Sequence, residues 1–220
     1  MASTASIGNI LTHESPARRA IKFRVALDSL PYHCRDQWID DLFGFDPLAE
    51  DGADLPQGCV PYMPCSVNLL LAMLDAIQMG SDDVFVDIGA GPGRVTTLVH
   101  LLTGAGAIGI EVQAGHVQQS KILTRSLGMK RVATVHGDAT RLVGCIPVGT
   151  VFFLYCPFGA SRLDQVFDTL ESLAMARPIR VCCVYMPPIE RSGWKVIAAP
   201  APGLEIYQCG VESPLYGLTT

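Results

Sequence analysis

The chain has 220 residues, of which 49% are hydrophobic and 17% are charged, so it can bury a large core and does not have the composition of a disordered protein. Its formal net charge is −5 and it has no run rich in lysine or arginine, which argues against a nucleic-acid partner that needs broad phosphate neutralisation. The N-terminal residues lack the basic start and apolar centre of a signal peptide, and no apolar run is long enough to span a membrane.

Eight cysteines are spread along the chain. None of them forms a C-x-x-C pair, and no histidine lies beside them at metal-ligand spacing, so we predict no metal site. Reduced thiols in a cytoplasmic protein are the simpler interpretation of this pattern.

The N-terminal third of the chain predicts helices followed by a loop. One helix is expected to begin at Ser15-Pro16 and to end at Pro31, and a second carries Trp38 and Phe43 on one side. Residues 46–58 are rich in Pro, Gly and Asp and predict a loop. We interpret residues 1–58 as a helical extension of a domain at 59–220. The extension is expected to be a lid or substrate wall, structural padding or an oligomer contact, and the sequence does not fix the oligomeric state.

The centre of the chain predicts a strand, a glycine loop, a helix, a second strand and an acid. A short apolar strand at 84–86 leads into Asp87, and Gly89, Gly91 and Gly93 follow at alternate positions. Residues without a β-carbon let backbone N–H groups approach a ligand closely. The helix carries apolar residues at 95, 98, 99 and 102, and the second strand, at 107–110, leads to Glu111.

Two classes of ligand use such a unit. The dinucleotide fingerprint is G-x-G-x-x-G, but its third glycine position, counted from Gly89, is Arg94 in this chain. The spacing is D-x-G-x-G-x-G instead, which resembles the first motif of the class I, seven-stranded S-adenosylmethionine-dependent methyltransferases. The resemblance implies that Asp87 and the loop with Ala90 lie under the methionine part of the cofactor. It also implies that Glu111, followed by Val112, accepts hydrogen bonds from the ribose hydroxyls.

A tyrosine segment precedes the glycine loop. Tyr62 is followed by Pro64, an apolar helix with core spacing and then the D-x-G-x-G-x-G motif. This order resembles some seven-stranded protein-lysine methyltransferases, including the Dot1-like group. The resemblance implies that Tyr62 contacts the methionine end of the cofactor. A tyrosine packed on a turn is the structural alternative.

An acid also follows the third predicted strand. After Glu111 we expect a helix at 114–127 and a strand at 131–136, and Asp138 and Ala139 come next. In the methyltransferase pattern an acid at this place accepts a hydrogen bond from the adenine amino group, so the resemblance assigns Asp138 to the adenine site with Ala139 beside it. The alternative role of Asp138 is to cap the turn after the strand.

The fourth predicted strand, at 150–155, ends at Tyr155 and leads into Cys156-Pro157-Phe158. In open α/β sheets, ligands bind at the carboxyl ends of the strands where the winding reverses. The segment is distantly similar to the N-P-P-Y motif of amino-group methyltransferases, but Tyr155 stands where that family has Asn, Asp or Ser. This departure argues against methylation of DNA adenine or glutamine. We interpret Tyr155 as a candidate catalytic or substrate-contacting residue that also borders the cofactor, and with Phe158 as an aromatic wall around a cation.

The rest of the chain completes a sheet. A helix at 161–176 is predicted to begin with a capping box of Ser161 and Asp164, and a fifth strand is expected at 179–185. Two more strands, at 194–199 and 204–209, predict an antiparallel hairpin. The predicted fold is therefore α/β, a doubly wound Rossmann-like sheet of seven strands with an antiparallel C-terminal hairpin and an N-terminal helical extension.

The sequence thus predicts a methyltransferase that uses S-adenosyl-L-methionine and acts on a nitrogen or oxygen of a small molecule or a protein lysine. An NAD-dependent oxidoreductase and a non-catalytic module that keeps the cofactor fold are the alternatives. Methyl transfer needs alignment more than a catalytic triad, and the sequence shows no triad. Candidate proton acceptors near the predicted strand ends are His136, Tyr155, Tyr185 and Glu190.

Overall fold

The computed structural model describes residues 15–45, 51–52 and 55–210. The predicted tail at 1–14 and part of the predicted loop at 46–58 lie outside these residues.

A mixed sheet of seven strands forms the centre of the described chain, in the order β3-β2-β1-β4-β5-β7-β6. Strands β1 to β5 pair in parallel, and β7 pairs antiparallel with both β5 and β6. The strand order reverses between β1 and β4. Strands β2 and β3 lie on one side of this pair, and β5, β7 and β6 lie on the other. The predicted α/β fold with its antiparallel hairpin is confirmed. The strands are β1 Val84–Ile88, β2 Gly106–Glu111, β3 Val132–His136, β4 Val151–Tyr155, β5 Ile179–Val184, β6 Trp194–Ala201 and β7 Leu204–Cys209.

Helices cover both faces of the sheet. The first begins as predicted, because the Ser15 hydroxyl accepts a hydrogen bond from the Arg18 N–H and Pro16 stands in the first turn. The α-helices are α1 Pro16–Asp28, α2 Arg35–Phe43, α3 Val67–Ile77, α4 Arg94–Thr103, α5 Ala114–Ser126, α6 Ala139–Leu142 and α7 Ala160–Ala174.

The predicted start of α7 is wrong. The helix begins at Ala160 with Gly159 as its N-cap and without a side-chain cap, so Ser161 lies inside the first turn. The Gly159 N–H donates to the carbonyl of Gly58, 2.8 Å away. A contact with a distant part of the chain thus fixes the turn, and local spacing cannot reveal such a contact.

The core has two layers, one on each face of the sheet. Alternate residues of β1 and β4 point to opposite faces, so Phe85 and Phe153 join one layer while Val86 and Phe152 join the other. The N-terminal helices pack into the first layer through Phe23, Leu27, Ile39 and Phe43. The extension therefore shares a core with the sheet, and the boundary at residue 58 stays a prediction. None of the helices in the described part of the chain is long and apolar enough to cross a membrane.

Candidate active site

A cavity that opens to solvent lies at the carboxyl ends of the parallel strands, beside the point where the strand order reverses. It is bordered by the ends of β1, β2, β3 and β4 and by the segment that contains Tyr62. Its lining residues are Leu55, Cys59, Val60, Pro61, Tyr62, Met63, Gly89, Ile110, Glu111, Val112, Gln113, Gly137, Asp138, Ala139, Tyr155, Cys156, Pro157, Phe158 and Arg162.

The glycine loop is held against the end of β2. The N–H groups of Gly89 and Ala90 both donate to the Ile110 carbonyl, at 2.9 and 3.1 Å. Gly91 has a φ of +53°, and a β-carbon there would overlap the ring of Tyr62. Glycine is therefore required at this position both for its backbone angle and for the close approach of the tyrosine.

Glu111 links the loop to the cavity. Its side chain is only 6% exposed, yet it lines the cavity. One carboxylate oxygen accepts a hydrogen bond from the Gly91 N–H at 2.8 Å and the other accepts one from the Gln113 N–H at 2.7 Å. Since each carboxylate oxygen has two lone pairs, Glu111 keeps acceptor capacity for a ligand.

Asp87 lies behind this site. It is 3% exposed, and burial together with the charge of Glu111 raises the pKa of Asp87 to about 8. The nearby Glu111 carboxylate and the burial of Asp87 both disfavour the ionised form of Asp87. Asp87 therefore holds a proton more tightly than an ordinary aspartic acid.

Asp138 has the capping role considered for it and an unexpected partner. It caps α6 by accepting from the Thr140 N–H at 3.0 Å, and its Oδ1 also lies 2.7 Å from a guanidinium nitrogen of Arg162. Burial raises the pKa of Asp138, but the hydrogen bonds of Thr140 and Arg162 outweigh it and leave that pKa below its ordinary value. The capping role is thus observed, and the adenine role stays a prediction for a carboxylate that lines the cavity.

Two tyrosines stand where β4 and β5 end. Tyr155 lines the cavity, and its ring centroid lies 5.7 Å from that of Tyr185, with the ring planes at 79°. Burial, with the nearby acidic groups Cys65, Tyr185, Cys156 and Asp36, raises the pKa of the Tyr155 phenol. Phe158 is buried, lines the same cavity and lies under the Arg162 guanidinium, 5.8 Å from its ring centre. The wall of Tyr155 and Phe158 around a ligand cation stays a prediction.

Arg94 explains why the third glycine of the dinucleotide fingerprint is missing. Its side chain is 1% exposed and pairs with Asp40 at 2.7 Å and Asp36 at 2.9 Å, while it also donates to the Cys65 carbonyl. The residue that begins α4 thus joins the glycine loop to α2 and to the start of α3. These contacts leave no role for Arg94 in packing helix against strand, the role of the third glycine in a dinucleotide site.

Seven of the predicted site residues line the cavity, and the others lie behind it. Asp87, Ala90, Gly91 and Gly93 are the ones behind it, where they shape and support the glycine loop. The ones that line it are Tyr62, Gly89, Glu111, Val112, Asp138, Ala139 and Tyr155.

The sequence did not single out Gln113, which binds the segment before Tyr62. Its side chain accepts from the Gly52 N–H at 2.6 Å and donates to Asp51 at 2.7 Å, while Asp51 accepts from the Tyr62 N–H at 3.0 Å. Only its position two residues after Glu111 could have drawn attention to Gln113. The sequence did not single out Arg162 either.

One protein-family model matches part of the chain. It is described as "Histone methylation protein DOT1" and it matches residues 61–137, which are 77 of the 220 residues. The match runs from the Tyr62 segment to the residue after β3, and this part supplies 9 of the 19 residues that line the cavity. No curated protein matches the sequence.

Solved structures resemble the chain at low identity. An RNA methyltransferase from Salinibacter ruber, in complex with S-adenosyl-L-homocysteine, has a TM-score of 0.55 at 21% identity and covers 70% of this chain and 97% of its own. The Escherichia coli protein yhhF, described as a methyltransferase, has a TM-score of 0.54 at 21% identity and covers 72% and 91%. A structure described as MtNAS in complex with MTA and tNA has a TM-score of 0.56 at 13% identity and covers 95% and 73%.

Similarity at these identities concerns the fold. The strand order, the antiparallel hairpin and the placement of the cavity all agree with it. The chain therefore has the fold of the class I S-adenosylmethionine-dependent methyltransferases.

Proposed function

We propose that this protein is an S-adenosylmethionine-dependent methyltransferase that acts on a nitrogen or oxygen nucleophile of a small molecule or of a protein lysine. One observation carries the proposal. The glycine loop after β1 and the buried carboxylate of Glu111 at the end of β2 meet at one cavity, beside the point where the strand order reverses. A purely structural turn has no need of a buried carboxylate that also faces a cavity.

The lining of the cavity suits each part of this cofactor. Glu111 has free acceptor capacity for a pair of ribose hydroxyls, and Val112, Asp138 and Ala139 offer an apolar surface with one acceptor for an adenine. Gly89 and Tyr62 border the other end, where a β-carbon at position 89 would come within 3.0 Å of Pro157. When bound, S-adenosylmethionine supplies a methyl group that its sulfonium already activates.

The residues of the chain then have to align and enclose the acceptor. Holding two reactants in a near-attack pose can lower a barrier by about 7–11 kcal/mol, so a site without a catalytic triad is chemically sufficient. The raised pKa of Tyr155 keeps its phenol protonated at neutral pH, which supports a contact role for Tyr155 and speaks against a role as general base.

Two features bear on the acceptor. The family description, histone methylation, supports a protein lysine, while the cavity beside the Tyr62 segment supports a small molecule. For either kind of acceptor, we propose that the protein is located in the cytoplasm. Its eight free cysteines support this location.

The first test is a thermal shift of the purified protein with S-adenosylmethionine, S-adenosylhomocysteine and NAD in separate samples. A ligand at about 100 times its dissociation constant stabilises the folded state by roughly 2.7 kcal/mol. For a domain of this size we expect a rise of about 5–10 °C with the two sulfur compounds and none with NAD. A rise with NAD alone would support the oxidoreductase alternative, and no rise with any ligand would support the non-catalytic module.

The second test measures turnover. The protein is incubated with methyl-labelled cofactor and a panel of aliphatic amines, alcohols and lysine peptides. We expect label in at least one acceptor and an equal amount of S-adenosylhomocysteine. Tight cofactor binding without label in any acceptor would count against the enzyme and for the module.

A further inference from the structure

Tyr185 follows β5 at the same edge of the sheet as the cavity, and its backbone is strained. Its φ is +50°, in the left-handed region that a bulky residue rarely adopts. Among the described residues, three that are not glycine have a positive φ, and two of them, Cys156 and Tyr185, follow the neighbouring strands β4 and β5. Residues in strained conformations cluster at ligand sites. They persist only where the surrounding structure enforces the conformation.

The turn between β6 and β7 enforces this conformation. The Tyr185 N–H donates to the Gly203 carbonyl at 2.7 Å, and the Tyr185 ring lies so close to Gly203 that a β-carbon there would overlap it. Gly203 itself has a φ of +74°. The Gly203 backbone thus holds one side of the Tyr185 ring in place, although Tyr185 is 57% exposed to solvent.

An exposed aromatic ring held so firmly has a free face. The Tyr155 and Tyr185 rings stand at 79° with their centroids 5.7 Å apart, and they form two walls of a corner beside the cavity. Aromatic faces attract a cation and offer little to an anion.

We propose that Tyr185 is a specificity-determining residue, which together with Tyr155 forms the acceptor-binding corner and selects a cationic aliphatic amine. This inference rests on the proposed function, because it places the acceptor next to the cofactor cavity. It assigns a binding role to Tyr185 and no part in the transfer step.

The test is nuclear magnetic resonance with ¹³C-labelled tyrosine rings. The chain has six tyrosines, so each ring signal can be assigned by one substitution to phenylalanine. The probe is n-butylammonium and its neutral counterpart is 1-butanol. We expect n-butylammonium to shift the signals of Tyr155 and Tyr185, to leave that of the exposed Tyr32 in place and to act at lower concentration than 1-butanol.

Substitutions give the matched comparison. We expect Tyr185→Leu to weaken n-butylammonium binding about fivefold, the size of one partly exposed cation–π contact, and Tyr185→Phe to leave it within about twofold. Gly203→Ala should weaken n-butylammonium binding by a similar factor, because it displaces the Tyr185 ring. Tyr32→Leu should have no effect on this binding. Unmoved signals of Tyr155 and Tyr185, equal responses to both probes, or undiminished binding in a folded Tyr185→Leu variant would overturn the proposal.

The two proposals fail in different ways. Addition of S-adenosylhomocysteine to the same sample should shift the Tyr62 signal, which reports the cofactor site. Loss of that response alone would contradict the proposed function. Loss of the n-butylammonium response alone would contradict the role of Tyr185.

Discussion

Two halves of one cavity are built in different ways. The cofactor half consists of the carboxyl ends of β1, β2 and β3, where backbone groups and carboxylates predominate. The proposed acceptor half consists of the ends of β4 and β5, where the half-buried Tyr155 lines the cavity and the exposed Tyr185 lies beside it. In the cofactor half, a loop of glycines is bound to Glu111 by a backbone N–H at 2.8 Å. In the acceptor half, side chains meet through contacts with distant turns such as that at Gly203.

The difference teaches where specificity can vary in this fold. Backbone contacts constrain the residue types of the cofactor half, because any side chain on Gly91 would overlap Tyr62. The acceptor half depends on ring positions, which substitutions can change without breaking the strands. Loops and strand ends of this kind carry function on a rigid scaffold.

The largest expected effect tests the cofactor half directly. Glu111→Ala removes two charge-assisted hydrogen bonds proposed for the ribose, at about 1.5–3 kcal/mol each. It also leaves the N–H groups of Gly91 and Gln113 without their hydrogen-bond acceptor. We expect the affinity for S-adenosylhomocysteine, measured by calorimetry, to fall by at least about 100-fold. Glu190→Ala, an exposed glutamate, is the control, and unchanged affinity in Glu111→Ala would remove Glu111 from the site.

A second substitution tests how the N-terminal helices are joined to the cofactor half. Arg94→Met leaves the carboxylates of Asp36 and Asp40 without their buried partner. Losing one member of a buried pair costs about 3–5 kcal/mol, and because Asp36 is 42% exposed we expect a loss near 2–3 kcal/mol in the free energy of unfolding. Urea denaturation measures it.

Arg191→Met is the matched control, since Arg191 pairs with Asp168 and Glu171 at a more exposed site. We expect it to cost less than about 1 kcal/mol. An equal loss in both variants would show that Arg94 is no special link between the helices and the glycine loop.

A third prediction uses pH. Asp87 has a pKa of about 8 in the folded protein and an ordinary value near 3.8, so the unfolded chain releases its proton first. Its contribution to stability is full below about pH 4 and is lost as the pH rises through about 8. We expect Asp87→Asn to become more stable relative to the wild type between pH 5 and pH 8. A constant difference in unfolding free energy across this range would contradict the raised pKa.

The smallest effect should come from the acceptor half. Tyr155→Phe keeps the ring and removes only the phenol, so we expect the affinity for S-adenosylhomocysteine to stay within about twofold, since no charge-assisted hydrogen bond is lost. Calorimetry on the same preparation as Glu111→Ala gives the comparison. A tenfold loss of affinity would show that the Tyr155 phenol contacts the cofactor. It would contradict the division of the cavity into two halves.

The sequence could predict the cofactor half because its signals are local. Asp87 and Glu111 lie in the last residues of β1 and β2, the alternating glycines follow β1 directly, and parallel strands bring their carboxyl ends to one edge. The seven strands were predictable for the same reason, since buried apolar runs and turn residues define them. The two strands of the C-terminal hairpin were placed correctly, although β6 extends to Ala201.

Tertiary structure alone decided the rest. The start of α7 depends on a hydrogen bond from Gly159 to Gly58, and the role of Arg94 depends on aspartates more than 50 residues earlier. The Tyr155 ring meets the Tyr185 ring because the Gly203 turn holds Tyr185 in place. Local spacing encodes the strands, the glycine loop and the acid that follows each strand, whereas contacts between segments far apart in the chain decide which side chains share a cavity.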